Sequence, residues 1–217
     1  MLNEEILNRV DHTALSATAA WEEIKKLCKE GIENKTASVC IPPSFVSRVS
    51  KKYGKQIAVC TVIGFPLGYS TTAVKVFEAG EAARDGADEI DMVINLGDVK
   101  DGNFDKITEE IKAVKEAIPG KLLKVIIETC YLTGDEKVRL CQCVTEGGAD
   151  YIKTSTGFGT KGAELADIPL FRANIRKDVK IKAAGGIRTA EDLERFAEAG
   201  CDRIGSSTAV KLLRKKQ

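Results

Sequence analysis

Histidine is nearly missing from this sequence: His12 is the single one in 217 residues. The seven cysteines (Cys28, Cys40, Cys60, Cys130, Cys141, Cys143 and Cys201) are odd in number, and none stands in C-x-x-C spacing. That scarcity argues against a zinc site and against a disulfide framework. The thiols read instead as small buried apolar groups in a reducing compartment. Charge of one sign is lacking too. Lys+Arg 33 against Asp+Glu 32 leave a net charge of +1, too little to draw the chain to nucleic acid or to an anionic membrane. No run of about 18 apolar residues occurs. The opening MLNEEILNRVDHTAL has no basic start followed by an apolar core, so a cytoplasmic protein is expected. No stretch has the composition of a linker, and 43% hydrophobic content suits one core, so residues 1–217 are read as one domain.

What is present is alternation. Extended apolar runs at 10–14, 37–41, 57–63, 89–95, 123–129, 151–154, 181–184 and 203–206 are each followed by an amphipathic stretch. The spacing is helical in Trp21-Ile24-Lys25-Leu27-Cys28, in Ile107-Ile111-Val114-Ile118 and in Leu193-Phe196-Ala197. A glycine, a small or apolar residue and an acid recur before four of the runs, as Gly31-Ile32-Glu33, Gly86-Ala87-Asp88, Gly148-Ala149-Asp150 and Gly200-Cys201-Asp202. They read as copies of one corner in which glycine ends the helix in the left-handed conformation. Thr189 caps the helix that begins with Ala190-Glu191-Asp192. Eight βα units in a chain of this length predict an α/β fold, a compact (β/α)8 TIM barrel. The competing doubly wound sheet has some support from Gly157-Phe158-Gly159-Thr160-Lys161-Gly162, which matches G-x-G-x-x-G. A dinucleotide site also needs an acid at the end of the next strand, where this chain has Ala183-Ala184-Gly185-Gly186.

In such a barrel the chemistry collects at the C-terminal ends of the strands. Lys153 stands near the end of the run Tyr151-Ile152-Lys153-Thr154. A lysine among apolar residues is either a stem that is covered while its head reaches water, an ion-pair partner, or an amine nucleophile toward a carbonyl. Lys182 repeats the pattern one strand later, and Asp91 interrupts the apolar run 89–95. A second ammonium beside Lys153 favours its neutral, nucleophilic form, with Asp91 holding Lys182 charged and relaying protons. The plainer reading of Asp91 and Lys182 is a structural ion pair. Gly185-Gly186 and Gly205-Ser206-Ser207 expose backbone amides in the loops after the last two strands, a frequent phosphate site of these barrels.

Taken together and in order, several stretches resemble the deoxyribose-phosphate aldolases, a class I aldolase family. They are Asp11-His12-Thr13, Ala37-Ser38-Val39-Cys40-Ile41-Pro42, Ile63-Gly64-Phe65-Pro66-Leu67-Gly68, the acid-bearing run to Asn95, Val125-Ile126-Ile127-Glu128-Thr129, Tyr151 through Gly157 and Lys182 through Arg188. The resemblance implies a (β/α)8 barrel that interconverts 2-deoxy-D-ribose 5-phosphate with D-glyceraldehyde 3-phosphate and acetaldehyde in deoxyribose phosphate breakdown, with no cofactor and no metal. It further implies Lys153 as the Schiff-base lysine, Lys182 as the neighbour that keeps it nucleophilic and Asp91 as proton donor and acceptor. Asp11 and Thr13 would line the sugar end, with Cys40 near the pocket and Gly157 in the loop beyond Lys153. A phosphosugar is the expected partner, and a homo-oligomer, dimer or tetramer, is compatible with the family. Longer relatives carry a tail ending in tyrosine. This sequence ends Arg214-Lys215-Lys216-Gln217, so the resemblance does not extend to a tail-assisted proton transfer. An isomerase of phosphosugars and a barrel that binds them without turnover are the alternatives from other classes.

Overall fold

Strand-forming runs rich in Val and Ile alternate along the chain with helices apolar on one face, and in the computed structural model, which describes residues 1–214, these pack as a barrel inside a ring of helices. Eight parallel strands, β1 (Val10–Thr13), β2 (Ser38–Ile41), β3 (Ala58–Ile63), β4 (Glu89–Val93), β5 (Leu122–Ile126), β6 (Tyr151–Lys153), β7 (Lys180–Ala184) and β8 (Arg203–Ser206), pair in chain order, and β8 closes against β1. The helices are α1 (Asn3–Leu7), α2 (Trp21–Glu33), α3 (Val46–Tyr53), α4 (Thr72–Arg84), α5 (Leu96–Lys100), α6 (Phe104–Ala117), α7 (Gly134–Glu146), α8 (Asp167–Asn174), α9 (Ala190–Glu198) and α10 (Ala209–Leu213). Residues 215–217, where the predicted difference from longer relatives falls, lie outside the described residues. Among the described residues no helix is long and apolar enough to cross a membrane.

The (β/α)8 barrel expected from the sequence is the fold observed. Its apolar core lies between strands and helices, where Ile24, Leu27 and Cys28 of α2 and Ile107, Ile111 and Val114 of α6 turn their stripes inward. Thr189 and Asp192 form a reciprocal cap at the start of α9: the Thr189 hydroxyl accepts the Asp192 N–H, and the Asp192 carboxylate accepts the Thr189 N–H.

Three of the four predicted corners have the expected form, with Gly86, Gly148 and Gly200 at φ 99°, 75° and 97°. The acid after each glycine has a definite task. Asp88, Asp150 and Asp202 accept the N–H of Val59, Leu123 and Ile181 at 3.0, 2.7 and 2.9 Å, which satisfies the amide of the second residue of a neighbouring strand. The fourth corner differs. Gly31 lies inside α2, and the left-handed residue is Lys35 at φ 52°. At Gly31 a side chain would come within 2.7 Å of Ile57 and 2.9 Å of Thr36, so this glycine allows the helix to approach the sheet.

Candidate active site

Inside the barrel the usual branched side chains give way to charge. Register explains which residues meet: Asp91 is paired with Lys124, Lys153 with Lys182, Lys182 with Arg203, and Asp11 with Ser38 and Gly205. Asp91 is fully buried, and its two oxygens have separate partners. Oδ2 accepts from Lys153 Nζ and from Lys182 Nζ, both at 2.7 Å. Oδ1 takes Lys124 Nζ at 2.8 Å, with the Cys60 thiol donating to it at 3.3 Å. Lys124 also meets Glu89 at 2.7 Å, and Glu89 in turn holds Arg203 at 2.8 Å. Asp11 binds Lys182 through Oδ2, and Arg203 and Ser38 through Oδ1.

Burial opposes ionisation of Asp91, but the cations of Lys124, Lys153 and Lys182 outweigh it and hold the carboxyl well below the usual carboxylate range. For Lys182 burial would likewise lower basicity. Asp11 and Asp91 reverse that and hold the ammonium well above its ordinary value. Lys124 is raised in the same way by Asp91, Cys60, Asp11 and Glu89 against its burial. Lys182 is thus a fixed cation whose ammonium lies no farther from that of Lys153 than twice their common distance to Asp91 Oδ2.

A cavity of ≈ 350 Å³ opens at the C-terminal ends of β1, β6, β7 and β8. Thr13, Lys153, Gly157, Gly185, Gly186, Gly205, Ser206 and Ser207 all border it, as do Thr156, Phe158 and Arg188. Lys182 and Asp91 lie deeper, behind Lys153. Gly205 has no side chain for a reason: a Cβ there would come 2.9 Å from Ala184 and 3.4 Å from Lys182 Cε, crowding the path of Lys182. Gly185 and Gly186, at φ 81° and 75°, bend the β7 loop against Gly162, where a side chain would strike the Gly185 carbonyl. The fingerprint-like segment 157–162 is therefore a packing partner of the Gly185 loop. Ser206 has another role besides bordering the cavity, because its Oγ accepts the N–H of Thr208 and Ala209 at 3.2 and 3.1 Å and so caps α10.

One of the two sugar-end residues lies elsewhere than the resemblance implies. Asp11 is completely buried under Lys182, with Arg203 and Ser38 on its other oxygen, and does not border the cavity. Cys40, expected near the pocket, is buried in a small apolar cluster with Cys60 and Val62, packed against Phe65 and against Leu15, which borders the cavity. The neighbouring Cys60, with Lys182 and Lys153, lowers the Cys40 thiol from its ordinary value against the effect of burial. Cys40, Cys60 and Asp91 are close enough to share an ion, as are Asp11, Cys60 and Glu89. Both groups are already faced by lysine and arginine cations, which disfavour a divalent metal.

Sequence reasoning passed over Lys124, Glu89 and Arg203. Lys124 carries the same signal as Lys153 and Lys182, a lysine inside an apolar run, Leu122-Leu123-Lys124-Val125-Ile126.

Residues 6–213 match the DeoC/LacD family aldolase model. A deoxyribose-phosphate aldolase of Clostridium botulinum (strain Alaska E43 / Type E3) is 60% identical over 99% of this chain and 97% of its own. One from Clostridioides difficile (strain 630) is 56% identical over 97% of this chain and 96% of its own. Among solved structures, the deoxyribose phosphate aldolase of Aeropyrum pernix, described as a unique tetramer, superposes with a TM-score of 0.88 at 31% identity, covering 97% of this chain and 90% of that one. The chain belongs to the DeoC/LacD family of aldolases, enzymes that make and break carbon–carbon bonds.

Proposed function

We propose that this aldolase reversibly cleaves 2-deoxy-D-ribose 5-phosphate to D-glyceraldehyde 3-phosphate and acetaldehyde through a Schiff base on Lys153. The observation that carries the reading is the place of Lys153: it borders the cavity, and its Nζ shares one Asp91 oxygen with the fixed cation Lys182. Three carboxylates, Asp11, Glu89 and Asp91, face four basic side chains, Lys124, Lys153, Lys182 and Arg203.

The amine adds to C1 of the open-chain sugar, and loss of water gives the iminium. A base takes the C3 hydroxyl proton, the C2–C3 bond breaks, and its electron pair moves to the iminium nitrogen as an enamine while C3 becomes the aldehyde of glyceraldehyde 3-phosphate. Protonation of the enamine at C2 and addition of water release acetaldehyde and the amine. Asp91 begins ionised and serves first as proton acceptor and then as donor, in part through water, while Lys182 stays charged. The backbone of Gly185-Gly186 and Gly205-Ser206-Ser207 receives the phosphate. A cytoplasmic role in breaking down deoxyribose phosphate and assembly as a dimer or tetramer belong to the same reading.

The test is incubation with acetaldehyde and borohydride followed by peptide mapping. An ethyl group fixed on Lys153 is the expected result, with turnover abolished in Lys153→Ala. Labelling of another lysine would move the Schiff base away from Lys153, and labelling of none would remove it from the mechanism.

A further inference from the structure

Just beyond β5 the backbone turns left-handed at Glu128, with φ 52° and ψ 67°. Among the described residues only Lys35 shares a positive φ without being glycine, and it sits on the corner after α2. Glu128 is different, because it is buried and its conformation is held from both sides: the Ile127 N–H donates to the Lys153 carbonyl and the Thr129 N–H to the Thr154 carbonyl, at 3.1 and 3.0 Å. A left-handed glutamate is strained, and such residues cluster where geometry serves a site.

Among the described residues, the carboxylate that this turn directs inward accepts hydrogen bonds from one residue. Its oxygens lie 3.2 and 3.3 Å from the Thr156 N–H, and Oε2 also accepts the Thr156 hydroxyl. Thr156 Oγ in turn accepts the Phe158 N–H at 2.9 Å. Thr156, Gly157 and Phe158 are the wall of the cavity next to Lys153. A hydroxyl has one proton and two lone pairs. Glu128 takes the proton and Phe158 occupies one lone pair, which leaves Thr156 a single lone pair and no donor for anything bound in the cavity.

We propose that Glu128 is a positioning residue that fixes Thr156 as a hydrogen-bond acceptor, so that the site selects acceptor aldehydes bearing a hydroxyl beside the carbonyl. This rests on the reading of the site as an aldolase for deoxyribose 5-phosphate, in which the group recognised is the C4 hydroxyl, the hydroxyl next to the aldehyde in glyceraldehyde 3-phosphate. Glu128 touches no substrate and acts through Thr156.

The experiment measures acetaldehyde addition to glyceraldehyde 3-phosphate and to 3-oxopropyl phosphate, the analogue without that hydroxyl, and takes the ratio of kcat/KM. In Glu128→Gln the amide oxygen stays with the Thr156 N–H and its NH2 faces Thr156 Oγ, so the hydroxyl proton turns to the cavity and the C4 hydroxyl, a donor to Thr156 in the wild type, can only accept there and loses that acceptor for its own proton. The ratio is expected to fall at least fivefold in Glu128→Gln and in Thr156→Val, without further loss in the double variant, and Thr156→Ser is expected to keep it. Borohydride trapping of acetaldehyde on Lys153, which involves no acceptor hydroxyl, should stay within twofold of wild type in Glu128→Gln. A ratio unchanged in Glu128→Gln overturns the proposal, and so does a loss of trapping in parallel with both additions, which marks a purely structural role. Absence of trapping in the wild-type protein itself would instead overturn the underlying Schiff-base reading.

Discussion

At Asp91 one side chain joins two kinds of work. Its Oδ1 lies with Lys124, which has no access to the cavity, and its Oδ2 with Lys153, which borders the cavity, and with Lys182 behind it. Stability and activity are therefore expected to separate. Lys124→Met leaves Asp91 and Glu89 each short of a buried counterion and should cost about 3–5 kcal/mol in urea unfolding. Lys153→Ala removes one of three cations from Asp91 and opens space continuous with the cavity, so it should cost about 1–2 kcal/mol while turnover disappears. Equal destabilisation by the two would contradict this division. Asp91, Lys153 and Lys182 were legible in the sequence because a charge inside an apolar strand is conspicuous. Glu89 and Arg203 were not, since each is the first residue of its strand and reads there as a solvated end. Glu128 was hidden for another reason: nothing in a glutamate after an apolar run announces a left-handed backbone.

Elements also carry a buried pair remote from the reaction. Lys75 of α4 and Glu110 of α6 meet at 2.8 Å with almost no exposure, and Lys75 also donates to the Val93 carbonyl at the end of β4. Burial is the dominant effect on both. It lowers Lys75 and raises Glu110 from their ordinary values, and the attraction between them offsets this only in part. A lysine lowered and a glutamate raised on folding each make the charged form less favourable in the folded chain, so around neutral pH ionisation here opposes stability. Lys75→Met and Glu110→Leu made singly should each lose about 3–5 kcal/mol, whereas the double variant should regain most of that loss. Chemical denaturation of the four proteins completes the cycle, and additive losses would refute the interpretation. The helices themselves were readable from their apolar spacing. At Gly31 the glycine pattern misled, because close packing against Ile57 and a left-handed turn select the same residue type.

For the whole molecule, the charged interior sets a pH window. Asp91 and Asp11 are lowered from 3.8 on folding, so their contribution is complete above that value and is lost as the pH falls through the lower folded values. Lys124 and Lys182 are raised from 10.5, and their contribution is complete below that value and is lost as the pH rises through the higher folded values. The difference in unfolding free energy between wild type and Asp91→Asn should accordingly be constant from about pH 5 to 9 and shrink below about pH 4. A difference that changes between pH 6 and 8 would place another titration in the cluster. The barrel class was legible from eight repeated units, but the heights at which their side chains meet depend on the stagger of a closed sheet, and no local stretch of sequence encodes that.

Closure of β8 on β1 brings the two ends of the strand order together, and Arg203 there meets Asp11 of the first strand and Glu89 of the fourth. During synthesis those acids emerge long before the arginine does. A nascent chain halted before Arg203 has an open sheet edge on β1 and β7 and carboxylates without their partner, so the barrel cannot complete itself while β8 is still in the ribosome. Chains stalled with β8 inside the exit tunnel should be cut readily by protease, and those with β8 and α10 fully emerged should resist. Folding of this protein is thus timed by its last strand, and the helper proteins that guard emerging chains have nearly the whole length of it to hold.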